Sequence, residues 1–205
     1  MGGVVTTVQD PEDLTARARI RDAAILHIGE HGFEAATIRG IAETAGVSLG
    51  LVRHHFGSKQ ALREACDEHL MKVIRRLNAE AASGLTGAFD PVAMMSPYRA
   101  YLARALIEGW AAPLFDEMTR IGEHWLAEAD KERADPPDVE PRARAAVLAA
   151  MALSVTVLYP HVSRGMGVDL SSPEGSRLLM RTLIEVYSQP VLSPEAAAQA
   201  RAALG

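Results

Sequence analysis

Between Thr37 and Lys59 the chain spells two short helices hinged on a glycine, and no other stretch restricts its fold as tightly. Thr37 stands as an N-cap before Ile38, Ile41, Ala42 and Ala45, which recur at helical spacing, and Gly46 closes that segment. Ser48 caps a second segment, Leu49 to Phe56. The spacing is that of a helix-turn-helix. Gly46 has no Cβ and can take the positive φ that crosses the two helices steeply. Val47, Val52 and Phe56 then face Ile41 and Ala42, which leaves Leu49, Gly50, Leu51, Arg53 and His54 pointing outward. An exposed face ending in Arg and His suits the major groove of double-stranded DNA.

The flanks predict more helix. Ile20, Ala23, Ala24 and Ile28 place a first helix over roughly Leu14 to His31, stopped by Gly32, with residues 1–13 as a loose arm. After Gly57-Ser58, Lys59 opens a long helix through Leu62, Cys66, Leu70, Ile74 and Leu77, ended by Gly84 and Gly87. Beyond residue 90 prolines punctuate the chain. Asp90-Pro91 and Ser96-Pro97 open a helix through Leu106 and Ile107, and Pro113 starts another through Trp125. The Pro136-Pro137-Asp138 turn leads to an apolar helix ending at Tyr159, and a glycine-rich loop spans Arg164 to Val168. Ser172-Pro173-Glu174 launches a helix to about Tyr187, and Ser193-Pro194-Glu195 a short tail helix. The expected fold is all-α, with a three-helix head over residues 14–60 joined by the long helix to a helical domain over 61–205.

Charge supports a polarised molecule. The 205 residues carry a net charge of −5, yet residues 17–63 hold seven Arg/Lys against four acids, so that stretch is +3 and the remainder −8. An acidic bulk on a mildly basic head is repelled by DNA everywhere except at the head. One cysteine, Cys66, excludes an internal disulfide and suits a reducing cytoplasm. The apolar run Ala145 to Tyr159, about 22 Å of helix, is shorter than a bilayer requires and reads as a helix buried on nearly all sides, in the core or at a subunit interface.

The run Thr37-Ile38-Arg39-Gly40-Ile41-Ala42-Glu43-Thr44-Ala45-Gly46-Val47-Ser48, followed by Arg53-His54-His55-Phe56-Gly57-Ser58-Lys59-Gln60-Ala61-Leu62, resembles the DNA-binding domain of the tetracycline-repressor (TetR) family. Glu30-His31-Gly32-Phe33 is similar to the close of that family's first helix. The resemblance implies a homodimer whose two recognition helices enter successive major grooves, and a C-terminal helical domain that holds a small-molecule effector. By carry-over, Arg39 reads guanine, and Leu49, Gly50 and Leu51 meet base edges. Arg53, His55 and Lys59 take phosphates, helped by Thr37 at a helix N-terminus, with Ser48 and His54 completing the DNA-contacting set. Two departures stand out: Arg53 occupies a position where the family usually has tyrosine, and Leu49 and Leu51 replace polar residues or threonine.

The effector-binding set is expected among Tyr98, Tyr101, Trp110, Phe115, Met118, Trp125, Met151 and Tyr159, with Arg104, His124 and His161 as polar partners. The alternative is that these side chains simply fill the bundle. Alanines in Ala145 to Ala152 and the stripe Leu178, Leu179, Leu183, Val186 suit a dimer seam, or else internal packing. No metal site is expected. His54 and His55 point about 100° apart on a helix, and no acid or cysteine completes His27 with His31. No catalytic constellation or cofactor motif is present, so the chain is not expected to be an enzyme. The expected activity is repression relieved when an effector moves the Lys59 helix as a lever. The rivals are a helical small-molecule-binding protein and an effector-independent DNA binder or activator.

Overall fold

A computed structural model describes residues 11–83, 91–133 and 136–204, which form helices and turns without a strand. Helix α1 spans Pro11–His31, α2 Ile38–Ala45, α3 Leu49–Phe56 and α4 Lys59–Ala82. Next come α5, Pro91–Met95, a 3-10 turn at Ser96–Tyr98, α6, Arg99–Ile107, and α7, Ala112–Asp130. The last four are α8, Pro141–Val157, α9, Tyr159–Met166, α10, Pro173–Ser188, and α11, Pro194–Leu204. Helix α1 begins at Pro11, three residues before the expected Leu14. The rest of the expected arm, residues 1–10, lies outside the described residues, as do Gly84, Gly87 and Asp90.

Packing divides the chain into two units, along different lines from the boundary expected at residue 60. The first comprises residues 1–87 and 97–158; the second comprises 88–96 and 159–205. Within the first unit Ile20, Ala24 and Ile28 of α1 are buried, together with Ile41 and Ala42 of α2, Val52 and Phe56 of α3, and Leu62, Cys66 and Leu70 of α4. Helix α1 also packs on α6. Gly29 permits this, because a Cβ there would lie 2.8 Å from the Tyr101 backbone nitrogen. The head therefore shares one apolar core with α6, which the local signals in the sequence do not show.

Helices α7 and α8 form the other extensive pairing in this unit. On α8 the buried residues Ala145, Ala149 and Leu153 recur every four positions, while Val147 and Met151 are 61% and 52% exposed. Burial within the chain is thus one-sided, so the core alone does not enclose this helix, and only the expected alternative of a subunit interface would cover its other face. The run also does not continue to Tyr159. Pro160 has no amide to donate and its ring would clash with the preceding turn, so α8 stops at Val157. Pro160 instead takes the second position of α9, where no intrahelical donor is required. Most of the supposed loop at Arg164 to Val168 is helical: α9 runs through Gly165 to Met166, and Gly167 ends it with φ 68°. Pro97 likewise breaks the helix expected after Pro91 into α5, the 3-10 turn and α6. The second unit packs α5 on α10.

A charged clamp ties α4 to α7. The Glu117 carboxylate, on a residue 7% exposed, accepts from Arg75 Nε at 2.9 Å and from Arg120 Nε at 3.2 Å. Hydrogen bonds from Arg120 and Arg75 hold its pKa down at about 2, against an ordinary 4.5. The depressed value means that the clamp stabilises the fold fully above pH 4.5 and loses its contribution as pH falls from 4.5 toward 2. Glu117→Gln is expected to cost about 1–2 kcal/mol at neutral pH, because both arginines remain free to rehydrate. Urea unfolding of the two proteins should converge across that acid window; a pH-independent difference would refute the assignment.

Candidate nucleic-acid interface

The turn is built by three local devices. Thr37, extended at φ −111°, accepts from the Gly40 amide through Oγ1 at 3.0 Å and so caps α2. Gly46 lies in the left-handed region at φ 64°, and its amide donates to Ala42 and Glu43 carbonyls. A Cβ there would meet nothing within 4 Å, so the backbone angle, not space, calls for glycine. Ser48 Oγ then accepts from the Leu51 amide at 3.2 Å and starts α3.

With Val52 and Phe56 buried, α3 leaves Gly50, Arg53 and His54 exposed, with Leu49, Leu51 and His55 half-exposed. Thr37, Arg39 and Ser48, at the start of α2 and in the turn, are exposed as well. Val47, expected to face inward, is only half-buried. Helix α3 carries no acid, and Arg53, His54 and His55 occupy its last turn, where the helix dipole favours cations. The face is basic and uncluttered.

Several supporting contacts escaped the sequence reading. Arg17 donates to the His55 carbonyl at 2.6 Å and lies 4.3 Å over the Phe56 ring, clamping the end of α3 to α1. His27 Nε2 lies 2.7 Å from Thr44 Oγ1, which gives that histidine a structural partner between α1 and α2. Lys59 donates to the Glu34 carbonyl at 2.9 Å and sits 4.6 Å over Phe33. The ammonium is thereby held in place with donors to spare.

Among the described residues, the expected effector side chains have several different neighbours. Tyr101 and Trp110 do meet, rings 5.2 Å apart, and line a cavity of about 40 Å³ with Asp67, Met71 and Leu114. Tyr101 donates to Asp67 at 2.6 Å, and burial pushes the Asp67 carboxyl above its ordinary range despite that bond. Tyr98 instead meets His69, at 3.1 Å. Arg104 pairs with Glu108, Trp125 donates to Asn78 at 2.7 Å, and Phe115 and Met118 are half-buried on α7. His124 and Met151 are exposed. Tyr159 and His161 belong to the second unit, where Tyr159 borders an open groove of about 620 Å³ with Ser163, Arg164 and Asp169. His161 is exposed beside Arg164. Asp67 and Met71, which border the Tyr101 cavity, lie on the long helix α4 and so fall outside the expected set.

Comparison with known proteins decides the family. Residues 20–66 match the model for bacterial regulatory proteins of the tetR family. Over 197 residues, 90% of either chain, the protein is 36% identical to the HTH-type transcriptional regulatory protein RaaS of Mycobacterium tuberculosis. The chain belongs to the tetR family. A shorter match, 40% over 75 residues and 37% of this chain, joins it to the regulator BetI of Agrobacterium fabrum, 35% of whose length is covered. A solved γ-butyrolactone receptor shares its fold with TM-score 0.60 at 22% identity, covering 85% of this chain and 89% of that one. The fatty acid degradation regulator FadR of Bacillus halodurans does so at 0.54 and 18%, covering 79% and 96%.

As a TetR-family transcriptional regulator, the chain carries its DNA-binding motif in α1 to α3 and the start of α4, the part matched by the family model. Among the described residues no single helix is long and apolar enough to cross a membrane.

Proposed function

We propose that this TetR-family regulator is a homodimeric repressor that grips an operator duplex with residues 14–60 and lets go when a small molecule binds among its C-terminal helices. One observation carries the DNA-facing half: the acid-free outer surface of α3, set at a fixed pitch by Gly46 and Ser48. In this reading Arg39 meets a guanine edge, while Leu49, Gly50 and Leu51 lie along base edges where leucines can cover thymine methyls. Arg53, His54, His55, Lys59 and the Thr37-capped end of α2 hold phosphates.

The dimer is supported by apolar side chains left in the open on two helices. Helix α8 exposes Val147 and Met151, and α10 exposes Leu178, Ile184, Val186 and Tyr187. Such groups call for a partner surface. Release by a small molecule is supported by the cavity beside Tyr101 and Trp110 and by the solved neighbour described as a γ-butyrolactone receptor.

The test is a gel-shift titration with duplex from upstream of the chain's own gene, repeated across salt concentrations. The wild type should show a steep salt dependence, and Lys59→Gln should weaken every duplex alike while flattening the slope by about two per dimer. Failure of the wild type to retain any such duplex would overturn the reading.

A further inference from the structure

Three aromatic rings and two cations form a continuous column within the first unit. Lys59 Nζ lies 4.6 Å from the Phe33 ring centre; on the same ring, at 5.3 Å, stands the Arg63 guanidinium. Arg63 also lies 4.9 Å from the Trp110 ring, and Trp110 meets Tyr101 edge-on at 5.2 Å. Among the described residues the buried Arg63 Nε has no hydrogen-bond acceptor, and ring faces take the place of one. One end of the column is the lysine at the start of α4. The other is the wall of the cavity.

Trp110 is the wall free to move. A cavity of about 40 Å³ holds water, not a metabolite, so any larger occupant must displace a side chain. Tyr101 is pinned: its hydroxyl donates to Asp67, its residue is 1% exposed, and its helix packs on Gly29. Trp110 lies outside any helix, directly after Gly109 at φ 79°; its amide donates to the Ala105 carbonyl, and its indole donates to Glu108, two residues away.

We propose that the Lys59–Phe33–Arg63–Trp110 column links the cavity to the DNA-facing surface, with Phe33 and Arg63 as positioning residues for Lys59 and Trp110 as the element displaced on occupancy. The inference rests on the DNA-binding reading above. It names the route by which the cavity and the duplex sense one another. Because coupling is reciprocal, duplex binding must alter the surroundings of Trp110, and the effect can be read without knowing the effector.

The protein has two tryptophans, so full-length Trp125→Phe reports Trp110 alone. Titrated with fluorescein-labelled duplex from upstream of its own gene, this variant should show a Trp110 emission change that saturates together with the duplex anisotropy. Adding Phe33→Leu, which keeps apolar bulk but removes the ring, should abolish that change and weaken duplex binding about 5- to 10-fold. Phe33→Tyr should restore both. Arg63→Lys, which keeps charge but not the planar face, should repeat the loss should Phe33→Leu melt too early to titrate. A silent Trp110 at saturating duplex, or an undiminished response in Phe33→Leu or Arg63→Lys, overturns the inference alone. Absence of duplex binding by the wild type overturns it together with the DNA-binding reading.

Discussion

Replacing Arg39 with glutamate is expected to lower duplex affinity at least about 50-fold at moderate salt while leaving the fold intact. In the proposed dimer a lost guanine contact costs about 1–3 kcal/mol, the new carboxylate repels the DNA backbone, and both effects count twice. Stability should hold or rise slightly, because Arg39 is exposed in the first turn of α2, where an acid complements the helix dipole. Fluorescence anisotropy and thermal melts run on the same preparation separate the two effects. An affinity within threefold of wild type would remove Arg39 from the interface.

The second large effect is on folding. Gly29→Val should destabilise the protein by about 3 kcal/mol, at the upper end for overpacking. The added Cβ would lie 2.8 Å from the Tyr101 nitrogen and 3.0 Å from the Ala100 Cβ. Backbone has no rotamer with which to escape, so α1 and α6 must part. Their separation would also loosen the Tyr101 bond to Asp67 and its contact with Trp110. Urea unfolding measures the cost, and a loss under 1 kcal/mol would show that the two helices tolerate separation.

The recognition motif was legible because its signals are local. Thr37 caps α2 through Gly40, Ser48 caps α3 through Leu51, and Gly46 turns the chain within itself, so each device acts across three or four residues. Pro160 is equally local, yet the apolar run beside it carries the expected helix on to Tyr159. The rule that proline favours a helix's first turn would have placed it inside α9. Phe33 shows the opposite case. Its place after Gly32 was noted as part of the motif, but its role as a platform for Lys59 and Arg63 depends on residues 26 and 30 positions away that only packing brings near.

From its own order of residues the chain determined an all-helical build, a helix-turn-helix and the outward face of α3, because capping and helical periodicity are settled between near neighbours. Tertiary structure alone decided that the head shares a core with α6 and that Tyr101 and Trp110 meet Asp67 at a cavity. Those outcomes hinge on which helix faces approach within a few ångströms. Composition cannot encode that, since an aromatic ring fills a core and lines a pocket with the same chemistry.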